Sequence, residues 1–299
     1  MFSGSLVALV TPMRPNGEID FDAWANLLDF HMQNGTTGIV VGGTTGEAST
    51  ITDIELRELT LRAVKQVRTR MIVVAGAGLN STVGTVARVR WVCELGVSGL
   101  LIVTPSYNKP TQEGLYQHYA AAAAAASVPV LLYNVPGRTA VDMLPATVAR
   151  LSCLPNIAGI KEAVADVDRI RDLIAQTHTS AQDFTVLSGD DRTARKAVLA
   201  GARGIISVTA NVAPQAMSDM IAAALMGDVA RAEAIDSTLA ELHECLFFEA
   251  NPIPVKWALE RMGLMDGGIR LPLLPLSQSF QAGVLAGMRR AGLQIKQLV

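Results

Sequence analysis

The chain has 299 residues, half of them hydrophobic, and a formal net charge of −2. That is ample apolar material for one large core. The near balance of charge, with no basic run, excludes an electrostatic footprint for nucleic acid or for an anionic membrane surface. Cys93, Cys153 and Cys245 are far apart in sequence and signal neither a zinc site nor a disulfide framework, which fits a reducing cytoplasm. The opening M-F-S-G-S-L-V-A-L-V-T-P has no basic leader and no small-residue cleavage site, so it does not read as a signal peptide. Its apolar run is also far too short to span a bilayer.

Strand-like apolar runs alternate with helical patterns along most of the chain. Residues 5–10 read as the first strand and 21–33 as the first helix, with Asp20 as N-cap. Residues 38–41 and 53–67, capped by Thr52, make the second pair, and 71–75 with 81–94 the third. Residues 99–103 and 111–126 make the fourth, whose alanine run reads as a tightly packed helix. The strand at 130–133 precedes a helix at 145–151, where Pro145 suits the first turn. Strands at 157–161, 184–187 and 204–208 precede helices at 166–176, 192–200 and 213–226. Past Gly227 the strand signal stops, and 228–247, 252–262 and 275–291 read as helices.

Regular alternation predicts a parallel sheet. The runs V-A-L-V, I-V-V and L-L-I-V are continuously apolar, as strands covered on both faces are. Eight units favour closure into an α/β (β/α)8 TIM barrel, with an open doubly wound sheet as the competing topology. The expected organisation is a barrel over residues 1–227. A helical extension over residues 228–299 would pack on it and could reach a neighbouring subunit.

In a barrel the chemistry sits at the C-terminal ends of the strands. The polar and glycine-rich residues fall there: Thr11, the G-G-T-T-G-E run from Gly42 to Glu47, Thr104 to Asn108, Y-N-V-P-G-R-T from Tyr133 to Thr139, Lys161-Glu162, S-G-D-D from Ser188 to Asp191, and Thr209 to Asn211. Lys161 ends a short apolar run, N-I-A-G-I-K. Desolvation disfavours an ammonium there, and the free amine can attack a carbonyl to form a Schiff base. The same residue could instead pack its stem and place its head in solvent. Tyr133, on the neighbouring strand, would bring a phenol close to that amine and could relay protons, although a structural tyrosine also fits. Arg138, in a loop over the rim, could hold a carboxylate in bidentate fashion or sit on the surface.

G-G-T-T-G-E lacks the G-K-[ST] ending of a phosphate loop. Its glycines and threonine hydroxyls suit a cradle for a small carboxylate, against the simpler reading of a tight turn. Asp190 and Asp191 would repel a phosphate. Gly76 to Gly78 reads as a turn. His31, His118, His178 and His243 fall in helices or loops away from the rim, and Lys256 reads as packing.

Taken together, G-T-T-G-E, S-Y-N, Y-N-V-P-G-R-T, G-I-K-E-A and S-G-D-D resemble the dihydrodipicolinate synthase family. This family lies within the pyruvate-dependent lyase and aldolase superfamily that includes N-acetylneuraminate lyase. The likeness runs from G-S-L-V-A-L-V-T-P through A-N-P-I-P-V-K-W and R-L-P-L, nearly the whole chain. It implies Schiff-base condensation of pyruvate with aspartate 4-semialdehyde, the first committed step towards diaminopimelate and lysine. By the same resemblance Lys161 carries the imine. Thr44, Tyr133 and a Tyr107 from the neighbouring subunit relay protons. Thr45 and the backbone at Ile206 face the pyruvate, Arg138 holds the semialdehyde's carboxylate, and Gly189 lines the substrate site. No metal or organic cofactor is implied, and the assembly the resemblance implies is a homotetramer of two tight dimers. Another superfamily aldolase or lyase is the alternative, against which Arg138 speaks. Where many bacterial relatives bind inhibitory lysine, this chain has Asp53, Leu56, Gly84 and Ser106, while Asn80 and Ala48-Ser49 remain compatible. Weak or absent lysine inhibition is expected.

Overall fold

The computed structural model describes residues 2–178 and 183–296. Eight parallel strands close into a barrel in sequence order: β1 (Gly4–Ala8), β2 (Gly38–Val41), β3 (Ile72–Gly76), β4 (Gly99–Val103), β5 (Val130–Asn134), β6 (Ile157–Glu162), β7 (Thr185–Ser188) and β8 (Gly204–Ser207). The closed barrel, not the open sheet, is the outcome. Its outer ring comprises α1 (Phe21–Gln33), α2 (Asp53–Val67), α3 (Thr82–Cys93), α4 (Gln112–Ala125), α6 (Pro145–Ser152), α7 (Val167–Thr177), α8 (Ala194–Leu199) and α9 (Pro214–Leu225). Three further helices follow: α10 (Val229–Cys245), α11 (Ile253–Met262) and α12 (Gln278–Arg290). Helix α10 packs on α9 and α12.

Local chemistry sets the helix starts. The Asp20 carboxylate accepts from the N–H groups of Asp22 and Ala23, and Thr52 and Glu55 form a reciprocal capping box on α2. Strand β1 is shorter than its apolar run suggests. Past Ala8 the Val10 N–H donates to the Asn211 side chain at 3.0 Å, so a side chain takes over where a strand partner would sit. A short helix that the sequence pattern does not reveal, α5 (Pro136–Thr139), interrupts the loop after β5, with Pro136 in its first turn.

Alternation along the strands builds two cores. Leu6, Ala8, Val40, Val74, Leu101, Leu131, Tyr133, Leu187 and Ile206 fill the barrel interior with Phe2. Their neighbours Val7, Val41, Val73, Leu100, Leu132 and Ile160 face outward into the layer shared with the helices. Position along a strand therefore decides whether a polar side chain enters the barrel or the helix layer.

Candidate active site

Strands β5 and β6 present the central pair. Tyr133 and Lys161 are partners in the parallel register, with Val103 and Leu187 level with them on the flanking strands. Lys161 is 5% exposed and Tyr133 6%. The Lys161 Nζ stands 4.5 Å from the centroid of the Tyr133 ring. The Lys161 stem is therefore packed inside the barrel, with its amine beside the Tyr133 ring rather than extended into bulk solvent.

A bulge is what aims this lysine inward. Val130 pairs with Ile157, but the next residue, Leu131, pairs with Gly159, so β6 carries one extra residue at Ala158. Ile157 and Ile160 both face the helix layer, and Ala158 packs against the interior. A one-residue insertion reverses the facing of everything beyond it. Gly159 permits the geometry: a Cβ there would lie 2.3 Å from the Thr185 carbonyl oxygen.

The next residue locks the strand end from outside. Glu162 is buried and accepts from Asn134 Nδ2 at 3.1 Å, from the Val164 N–H at 2.9 Å and from Arg169 Nε at 3.3 Å. Burial pushes its carboxyl up, opposed by those donors. Arg169 also bonds Asp142 and the Met143 carbonyl, and Asn134 reaches Asp142 at 2.7 Å. This outward-facing cluster fixes β5 to β6 and was not legible as a site from the sequence.

The other expected residues lie around the same mouth. Gly189, just past β7, leaves room for the lysine: a Cβ would lie 3.0 Å from Lys161 Cε. Ile206 of β8 is in the interior with Tyr133 and Leu187. Thr44 is half-buried in the turn after β2, and its carbonyl accepts from the Glu47 N–H at 3.1 Å. Thr45 is buried, and its hydroxyl accepts from Asn251 Nδ2 at 3.0 Å. Arg138 sits on α5 rather than in an irregular loop, because the Arg138 and Thr139 N–H groups both donate to the Val135 carbonyl and close a helical turn. It is exposed, and its Nη2 donates to the Asn251 carbonyl at 3.0 Å. Asn251 therefore joins Thr45 to Arg138. In sequence Asn251 belongs to the A-N-P-I-P-V-K-W stretch of the family resemblance, and nothing in that stretch indicates this contact.

Two residues lie differently from the rest. Tyr107 is 92% exposed, with φ +71°, and is not packed within its own chain. Lys256 is buried on α11, as the packing reading expects, and its amine also forms a buried ion pair with Glu47. His31 is buried against Thr36 and its pKa is lowered by burial to about 3; His118 is buried against Thr82, and His178 is exposed. His243 bonds Thr209, just past β8, which brings it nearer the rim than its helix suggests. Among the described residues no group of three or more His, Cys, Asp or Glu side chains is arranged to hold a metal. No helix among them is long and apolar enough to cross a membrane.

A closed (β/α)8 barrel with a largely buried lysine at its C-terminal mouth belongs to the class of scaffold that can capture a carbonyl compound as an imine. The chain belongs to the dihydrodipicolinate synthetase family, whose model matches residues 1–290. A 4-hydroxy-tetrahydrodipicolinate synthase from Stutzerimonas stutzeri (strain A1501) is 54% identical over 292 residues, 98% of this chain and 99% of that protein. Among solved structures, the chloride-inhibited dihydrodipicolinate synthase from Acinetobacter baumannii complexed with pyruvate superposes with a TM-score of 0.96 at 46% identity. The match covers 98% of this chain and 100% of that one. A monomeric dihydrodipicolinate synthase variant superposes at 0.95 with 40% identity, covering 98% of both chains.

Proposed function

We propose that this chain is a 4-hydroxy-tetrahydrodipicolinate synthase, joining pyruvate to aspartate 4-semialdehyde through an imine on Lys161. The observation that carries the reading is the largely buried Lys161 side chain, whose amine stands over the Tyr133 ring at the barrel mouth. The relative's name and the pyruvate complex of the structural neighbour support the substrate class.

In this reading the free Lys161 amine adds to C2 of pyruvate, and loss of water leaves the imine. The protonated imine withdraws electrons from C3, which gives up a proton to become an enamine. The enamine carbon attacks the aldehyde carbon, whose oxygen takes up a proton. The semialdehyde's own amino group then adds to C2 and expels Lys161, closing the ring. Thr44, Tyr133 and a neighbouring subunit's Tyr107 relay the protons. Thr45 and the backbone at Ile206 hold the pyruvate, Gly189 keeps space beside the lysine, and Arg138 takes the carboxylate of the second substrate. The imine is itself the electron sink, so the scheme uses no metal or organic cofactor.

The proposed assembly is a homotetramer built as two tight dimers. Tyr107 projects from the chain near Ile54 and Val83, themselves 81% and 80% exposed. These segments are linked by the Asp53–Arg88 ion pair and by the bond from Ser106 to Asn80. Large apolar side chains this exposed mark a contact surface. Residues 1–227 would form the barrel and 228–299 the extension packed on it. The scheme places the enzyme in the cytoplasm, in lysine and diaminopimelate biosynthesis. A coupled assay with pyruvate tests the second substrate: aspartate 4-semialdehyde should exceed other aldehydes by at least about a hundredfold in kcat/KM, because a site built around a paired carboxylate discriminates against substrates lacking it. Preference for another aldehyde would assign the chain to a different pyruvate-dependent aldolase.

A further inference from the structure

Two buried charged groups take no part in the chemistry proposed above. Glu47 closes the G-T-T-G-E run, and Lys256 lies on α11. Their side chains are sealed from solvent and form an ion pair. A lone charge in such a place is costly, so each requires the other. Burial lowers the Lys256 pKa and the Glu47 carboxylate opposes that shift. The second Glu47 oxygen accepts from the Arg270 backbone N–H at 3.1 Å. The carboxylate is thus gripped from two sides, both supplied by chain beyond residue 250.

What the pair grips is a turn. The Gly46 and Ala48 N–H groups donate to the Gly43 carbonyl at 3.0 and 3.2 Å, and the Glu47 N–H donates to the Thr44 carbonyl at 3.1 Å. From the other side, the Thr11 hydroxyl donates to the Gly46 carbonyl at 2.8 Å. Glu47 has φ +58°, in the left-handed region that non-glycine residues rarely enter. Such a backbone persists where its surroundings over-determine it. Thr44 and Thr45 lie inside this turn.

We propose that Lys256 and Glu47 are positioning residues, whose ion pair fixes the turn that presents Thr44 and Thr45 to a substrate held on Lys161. The proposal rests on the imine reading of Lys161. Neither residue touches the reacting atoms; the coupling runs through the backbone of residues 43–48. Lys161 is held separately, on β6, so its access to pyruvate survives loss of the pair.

The test uses the full-length protein and the double variant Glu47→Leu/Lys256→Met, which replaces the pair with apolar groups of similar size and so avoids a stranded charge. The expected result is a folded barrel with kcat lowered and pyruvate KM raised, each by about tenfold or more. Borohydride at saturating pyruvate should still label Lys161 to completion. Glu47→Gln, which keeps an oxygen for the Arg270 N–H, should lose less. Parental KM and kcat in the double variant overturn the proposal. Independently of any variant, hydrogen exchange on the wild-type protein should show the amides of Gly46, Glu47 and Ala48 as protected as those of the barrel strands. Exchange at open-loop rates overturns it as well. Absence of label on Lys161 in the parent would instead mean that the imine reading has failed.

Discussion

Lys161 stands opposite Tyr133 in the parallel ladder because β6 holds one residue more than β5 across their shared bulge. Were β6 to pair regularly from Ile157, with Ala158 opposite Leu131, Tyr133 would face Ile160 and Lys161 would fall opposite Asn134, towards the helices. Substituting Gly159 tests this. In Gly159→Ala the new methyl meets the Thr185 carbonyl oxygen at 2.3 Å, so the strands must part or the bulge must shift. The expected result is a loss of about 1–3 kcal/mol in stability, seen as a lower melting temperature, with a fall in borohydride labelling at fixed pyruvate. Parental stability and labelling would show that the bulge does not set the lysine's direction.

The Tyr133 hydroxyl and ring are separable. Tyr133→Phe keeps the apolar face beside the Lys161 amine and removes the phenol. If the phenol relays protons, kcat should fall by roughly 10²–10⁴-fold, the usual worth of a positioned acid–base group, while the melting temperature changes little. A fall of less than about threefold would leave Tyr133 as a packing residue only.

Arg138 should affect one half-reaction. It lies on α5, outside the buried pair, and is tied to the Asn251 carbonyl. Arg138→Ala should leave the rate of imine trapping with pyruvate unchanged and raise KM for aspartate 4-semialdehyde by at least about tenfold, the cost of a lost charge-assisted pair. Unchanged semialdehyde kinetics would remove Arg138 from the site.

Inhibition by lysine should be weak or absent. The groups in the relevant region are already engaged with one another: Asp53 pairs with Arg88, Leu56 is buried in the core, and the Asn80 side-chain oxygen accepts from the Ser106 N–H and hydroxyl at 3.0 and 2.9 Å. A diamino acid would have to break these contacts without new histidine or carboxylate partners in return. Titration with lysine in the coupled assay should show no inhibition below millimolar concentrations, and a micromolar inhibition constant would contradict this.

Much of the scaffold is written in local pattern. Eight apolar runs, each followed by a helical stretch, specify the alternation, and Asp20, Thr52, Ser81 and Thr111 cap the helices that follow them. The convergence of Lys161 and Tyr133 follows from adjacency of their strands. What pattern could not supply is parity. In I-A-G-I-K a regular strand would put Ile157 and Lys161 on one face, and only the bulge separates them. Long-range polar contacts were equally hidden. Asn251 meets Thr45 across 206 positions, and Lys256 meets Glu47 across 209, distances at which no periodicity carries information.

The most direct measurement is borohydride reduction of the protein with pyruvate, followed by peptide mass mapping. The account predicts one adduct, on the peptide containing Lys161, and none in Lys161→Ala. An adduct on any other lysine, including the equally buried Lys256, or no adduct at all, would contradict it.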